Sequence, residues 1–119
     1  MGRILVVDDS QFMRTVLAQL VKAEGHQVVT AQDGRAALDI LAHQPFDLVL
    51  LDVVMPEIDG YRVLELMMAD PSLRHIPVIM ISAVDETESA IRCIELGAQD
   101  YLPKPVNPLL LRARINASL

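Results

Sequence analysis

The stretch Asp47-Leu48-Val49-Leu50-Leu51-Asp52-Val53-Val54-Met55-Pro56 constrains this chain more than any other. A near-continuous apolar run is the pattern of a strand buried on both faces of a parallel sheet, because a strand with one wet face would alternate. Asp52 interrupts the run. An ionised carboxylate inside such a strand is costly, so it must stand where the strand emerges and where something offsets its charge. Pro56 cannot donate to a ladder, and the strand must end near it. Asp52 is thereby placed at the C-terminal tip of a central strand, the edge at which open α/β sheets bind ligands.

The rest of the chain supplies the partners of that strand. Ile4 to Val7 is a short apolar run that stops at Asp8-Asp9-Ser10, where Ser10 or Asp9 can cap a helix. Phe12, Val16, Leu20 and Met13, Leu17, Val21 recur at helical spacing up to Glu24, and Gly25 ends that helix. Gln27 to Ala31 reads as a second strand; Asp33-Gly34 opens a helix with Ala37, Ile40 and Leu41 on its apolar face, broken by Pro45. After the central strand, Asp59-Gly60 precedes a helix carrying Val63, Leu64, Met67 and Met68, closed by Asp70-Pro71. Ile76 to Ile81 is a fourth strand, ending at Ser82-Ala83. Asp85 and Glu88 form an acidic variant of the capping box for a helix through Ile91, Ile94 and Glu95, stopped by Gly97. Asp100-Tyr101-Leu102 is a short fifth strand, Pro103-Lys104-Pro105 a turn, and Asn107-Pro108 the cap of the last helix. Strand and helix thus alternate through the chain, which implies a mostly parallel, doubly wound sheet with helices on both faces and right-handed crossovers. The first, third and fourth strands are the most apolar and belong at its centre.

A chain of 119 residues suits one domain with one good core, and with 3% aromatic residues and no Trp that core must be aliphatic. The net charge of −6, with no basic patch, disfavours nucleic acid or an anionic membrane as a direct partner. No apolar stretch is long enough to span a bilayer, and the N-terminus is too short in apolar residues and too acidic for a signal peptide. Cys93 stands alone, so there is neither a disulfide framework nor zinc-ligand spacing; it reads as a small buried residue on a helix, in a reduced cytoplasmic setting. His26, His43 and His75 lie in separate connecting regions without ligand spacing and read as surface or loop residues.

The strand tips carry the chemistry. The first brings Asp8 and Asp9, the third Asp52, the fourth Ser82, and the fifth Lys104 just past its end. Singly, each has an ordinary explanation as a cap, a turn residue or a solvated lysine. Jointly, they deliver complementary groups to one edge. Three carboxylates in one crevice repel, and a hard divalent cation such as Mg²⁺ removes that repulsion with oxygen ligands and retained waters. Lys104 adds a compact positive charge suited to a phosphoryl oxygen, and Ser82 a hydroxyl donor. Such a set suits an aspartyl-phosphate, in which a carboxylate attacks phosphorus while cationic groups offset charge on the transferred oxygens. Asp52, alone at its tip, is the better nucleophile; adjacent Asp8 and Asp9 are better placed to share the metal.

With those residues in view, the chain resembles the receiver domains of two-component response regulators and is similar to the chemotaxis response regulator. The match runs from Ile4-Leu5-Val6-Val7-Asp8-Asp9-Ser10 to the last helix, and is strongest at Asp47 to Gly60 and at Gly97-Ala98-Gln99-Asp100-Tyr101-Leu102-Pro103-Lys104-Pro105. The resemblance implies a flavodoxin-like, five-stranded parallel sheet in the order 2-1-3-4-5. It implies that Asp52 accepts a phosphoryl group from a histidine kinase, a phosphotransfer protein or a small phosphodonor. Asp9 and Asp52 would ligate Mg²⁺ directly, Asp8 through water, and the backbone carbonyl of Val54 would complete the protein ligands. Lys104 would pair with the phosphoryl oxygens, Ser82 would bond one of them, and Tyr101 would be the aromatic that moves inward as Ser82 shifts. A cis peptide before Pro105 is implied as well. So is an output surface made by the fourth helix, fifth strand and fifth helix. Residues 1–119 would then form a single receiver, a signalling module rather than an enzyme in the usual sense, cut from or feeding a larger regulator with a C-terminal output module.

Val54, two residues past Asp52, and Val84, two past Ser82, offer no side chain to position an attacking water, so a phosphorylated form is expected to hydrolyse slowly. Leu109, Leu110 and Leu111 are about 100° apart on a helix and cannot all face one sheet, which with Leu119 leaves apolar surface for a homodimer or an output module. Three rival classes fit less well. A phosphatase or phosphotransferase using an aspartyl-phosphate generally needs a second carboxylate where Val54 stands, and a cap for its substrate. A flavin or dinucleotide binder lacks its Gly-rich turn after the first strand. A phosphorylation-independent interaction module has no use for the complete set of acids, hydroxyl and lysine.

Overall fold

The structure, a computed structural model, describes residues 2–83 and 86–119, the Glu86 side chain excepted. Val84 and the capping position Asp85 lie outside the described residues. Five strands, β1 (Arg3–Val7), β2 (Gln27–Ala31), β3 (Leu48–Asp52), β4 (Val78–Ser82) and β5 (Asp100–Pro103), alternate with α1 (Gln11–Ala23), α2 (Gly34–His43), α3 (Gly60–Ala69), α4 (Glu86–Glu95) and α5 (Pro108–Ser118). All strand pairs are parallel and the order is β2-β1-β3-β4-β5, as the resemblance implies. The three most apolar strands are indeed central, and every residue of β3 and β4 is buried.

Strand alternation sorts the core into two layers. Leu5, Val7, Val49, Leu51, Val78 and Met80 face one way, against Ala37 and Leu41 of α2, Val63, Leu64 and Met67 of α3, and Cys93 of α4. Ile4, Val6, Leu48, Leu50, Ile79 and Ile81 face the other way, against Leu17 and Val21 of α1 and Leu111 and Ile115 of α5. Caps fix the helix starts: Ser10, Asp33, Asp59 and Asn107 each accept a backbone N–H from the first turn that follows. Gly25 and Gly97 leave α1 and α4 with left-handed φ of 88° and 109°.

Helices α1 and α4 turn large apolar residues to solvent. Phe12 is 75% exposed. It lies nine residues from Val21, roughly 180° around the helix, so burying Val21 sends Phe12 to solvent. In α4, Ile91 and Ile94 are 55% and 51% exposed, and among the described side chains the buried ones are Ser89 and Cys93. Those two lie one turn apart, and Ile91 sits roughly 200° from Ser89. Leu111 is buried, Leu110 half-buried and Leu109 75% exposed, which is the split that the leucine run requires. Cys93 is a buried free thiol.

Candidate functional site

β1, β3, β4 and β5 each bring a candidate residue to the C-terminal edge of the sheet. Asp8 follows β1, Asp52 is the last residue of β3, Ser82 the last of β4, and Lys104 follows β5. The oxygens offered by Asp8, Asp9 and Asp52 lie within 4.8 Å of one another. Asp8 and Asp52 are buried and Asp9 is exposed, which leaves one side of the cluster open. Lys104 Nζ reaches both buried acids, at 3.2 Å from Asp8 Oδ2 and 3.3 Å from Asp52 Oδ1. Its own backbone N–H donates to the Ser82 carbonyl at 2.9 Å, anchoring the lysine to the tip of β4. The Lys104–Pro105 peptide is cis, as the resemblance implies.

The electrostatics are those of an overcrowded acidic cluster. Burial, then the neighbouring Asp8 charge, push Asp52 up from 3.8 to about 6, against the opposing pull of Lys104. Burial works against the Lys104 ammonium, but Asp52 and Asp8 outweigh it and hold the group above its ordinary range. Three carboxylates facing one ammonium leave a deficit of positive charge. The donor set is all oxygen, acidic and partly open, which fits a hard cation such as Mg²⁺.

Several supporting groups carry no signal in the sequence. Arg14 donates to the Asp8 carbonyl at 2.8 Å, and the Ser10 N–H to Asp8 Oδ1 at 2.9 Å, so the first acid is held from both ends. Gly60 is the closest approach in the β3–α3 turn. A Cβ there would stand 2.2 Å from the Asp52 carbonyl oxygen, and the Gly60 N–H donates to the Val53 carbonyl at 2.7 Å. Glu57 in the same turn takes a left-handed φ of 65°. The Val54 side chain, two residues past Asp52, is 57% exposed.

The remaining expected site residues are Ser82 and Tyr101. Ser82 is fully buried at the tip of β4, in register with Pro103. Tyr101 pairs with Met80, packs against the core layer under α3 and α4, and has its hydroxyl buried without a hydrogen-bond partner among the described residues. Among the described residues no histidine joins a group that could hold a metal ion. His26 accepts the Gly2 N–H, and His43 is exposed and bonded to the Asp39 carbonyl. Among the described residues no helix is long and apolar enough to cross a membrane.

Residues 4–116 match the family profile described as "Response regulator receiver domain". The chain is 43% identical to Response regulator PleD of Caulobacter vibrioides over 98% of its own length and 26% of that protein. It is also 43% identical to Transcriptional regulatory protein CpxR of Escherichia coli, over all of this chain and 50% of that one. It therefore spans about a quarter to a half of the curated relatives it matches. Among solved structures, the chemotaxis response regulator CheY4 of Vibrio cholerae superposes with a TM-score of 0.93 at 29% identity, covering 100% and 99% of the two chains. A response regulator from Chloroflexus aurantiacus gives 0.94 at 30%, covering 98% and 96%. With its fold, its acidic edge and its sequence all in agreement, the chain belongs to the response regulator receiver domains of two-component signalling.

Proposed function

We propose that this receiver is switched by phosphorylation of Asp52. The observation that carries the reading is the position of Lys104 Nζ, within 3.3 Å of Asp52 and 3.2 Å of Asp8 at the edge where three carboxylates meet. The phosphoryl group comes from the phosphohistidine of a histidine kinase or phosphotransfer protein, or from a small phosphodonor. An Asp52 carboxylate oxygen forms the new bond to phosphorus, and the electron pair of the broken bond leaves with the donor's imidazole nitrogen. A value near 6 leaves Asp52 mostly ionised at neutral pH, and its burial strips the water that would blunt it as a nucleophile.

Asp8, Asp9, Asp52 and the Val54 carbonyl are the groups that would hold Mg²⁺, with Asp8 acting through water. Bound there, the ion would neutralise charge on the phosphoryl oxygens. Lys104 exchanges its carboxylate partners for a phosphoryl oxygen, and the Ser82 hydroxyl donates to another. Those contacts exist only in the phosphorylated state and so can shift the conformational equilibrium. Tyr101 joins that shift from an already enclosed hydroxyl. The readout is the surface of α4, β5 and α5, facing an output module or a second copy, in a cytoplasmic protein that includes residues 1–119 as one receiver. Exposed Leu109 and Leu119 support an apolar partner.

Incubation with a small phosphodonor and Mg²⁺ separates this reading from an enzyme. A gain of one phosphoryl group per chain, lost in Asp52→Ala, is expected. Steady turnover of the donor without accumulation of the modified chain would instead favour a phosphatase.

A further inference from the structure

The seating of α4 is unusual for an amphipathic helix. Its large apolar residues Ile91 and Ile94 point to solvent, while Ser89 and Cys93 are buried. A helix seated on a serine and a cysteine gains little from apolar burial, so polar contacts have leverage over its position. Those contacts converge on one residue of α3. The Tyr61 hydroxyl lies 2.9 Å from Ser89 Oγ, and the Arg92 guanidinium stacks over the Tyr61 ring at 3.9 Å from its centroid. Burial pushes the Cys93 thiol up from its ordinary value, opposed by the Ser89 hydrogen bond and the Arg92 charge, so the same three α4 residues form one local cluster.

Tyr61 is also the neighbour of Gly60, whose backbone packs directly on the Asp52 carbonyl and bonds to Val53. A displacement at the tip of β3 therefore reaches Tyr61 with no slack between, and Tyr61 reaches α4 through its part-buried hydroxyl at Ser89. We propose that Tyr61 is a positioning residue that links the Asp52 turn to α4, and that its bond to Ser89 holds α4 in the unphosphorylated seating. The link shares a face of the sheet with Tyr101 but passes through neither Ser82 nor Tyr101, and it rests on the phosphoacceptor reading above. A contact made in one state and broken in the other opposes the switch by its own strength, a factor of about two to ten for an ordinary hydrogen bond.

The test uses Tyr61→Phe, which keeps the ring and the Arg92 stack, together with Ser89→Ala and the double variant. Amide hydrogen exchange across residues 86–95 reads the hold on α4. The affinity for beryllofluoride with Mg²⁺, a phosphoryl analogue, reads the switch. Each single variant is expected to speed α4 exchange and to tighten beryllofluoride binding by the same two- to tenfold, and the double variant to add nothing further. Faster exchange with unchanged beryllofluoride affinity would overturn the link, as would additive effects in the double variant or no effect on either readout. If the wild-type chain itself fails to bind beryllofluoride, the phosphoacceptor reading fails and the link falls with it. That outcome differs from failure of the link alone, in which wild type binds and only the variant-to-wild-type ratio stays at one.

Discussion

Lys104 and Asp52 form an ion pair between strands that do not touch. Lys104 follows β5 and Asp52 ends β3, with β4 between them, yet Nζ and Oδ1 are 3.3 Å apart. The lysine bridges β4 by donating its backbone N–H to Ser82, so its chain direction is set before its side chain reaches the acids. Removing one partner of such a pair leaves buried charge uncompensated. Lys104→Met is expected to lower stability by about 1–3 kcal/mol at neutral pH without divalent cations, less than for a fully enclosed pair because Lys104 is 20% exposed. Chemical denaturation measures it, and an unchanged midpoint would mean that the ammonium is not offsetting the acids.

Asp52 gives the fold a pH dependence of defined sign. Its value is about 6 in the folded chain against 3.8 ordinarily, so the folded state binds the proton more tightly than the unfolded state. The associated stability is fully present below about 4 and is lost as pH rises through 6. Asp52→Asn, which cannot ionise, is therefore expected to be more stable than wild type at pH 7–8, by at most about 3 kcal/mol, and to lose that advantage near pH 4. Thermal unfolding of both proteins in chelator across this range checks it. Added Mg²⁺ is expected to narrow the gap at neutral pH by stabilising wild type selectively.

Gly60 is required by contact rather than by torsion. Its φ is unexceptional, but a Cβ would meet the Asp52 carbonyl oxygen at 2.2 Å and Val53 Cα at 2.8 Å, both backbone atoms that cannot swing away. Gly60→Ala is expected to cost about 1–3 kcal/mol or more, by forcing α3 off the β3 tip. The same variant is expected to weaken Mg²⁺ binding. Unfolding and metal titration read the two effects together.

Val54, two residues past Asp52, is 57% exposed and has no group to orient water. A phosphorylated form is expected to persist, and Val54→Asn to shorten its lifetime severalfold by offering an amide to the attacking water. Following loss of the phosphoryl group from both proteins decides it, and equal lifetimes would count against the role.

The five strands, the central place of β1, β3 and β4 and the candidate residues at their tips were legible because apolar runs, Gly and Pro punctuation and isolated acids are local signals, whereas the full strand order came only with the resemblance to receiver domains. Asp52 could be picked out by its cost inside an apolar strand. What was not legible depended on which of two apolar stripes wins a helix face. Phe12 is as hydrophobic as its buried neighbours and Ile91 is more so than the buried Ser89 and Cys93, and only the packing of the two helices decides that they face water. Arg14, Gly60 and Tyr61 were missed for a related reason. Their roles are contacts with backbone atoms or with a side chain 28 residues away, and composition carries no trace of those.

Phosphorylation of Asp52 is read most directly by peptide mass spectrometry after reaction with a small phosphodonor and Mg²⁺, with borohydride used to trap the acyl phosphate. Reduction at position 52, dependent on Mg²⁺ and absent without the donor, is the expected result. Modification at Asp8, Asp9 or a histidine, or a chain that stays unmodified while Mg²⁺ is bound, would contradict it.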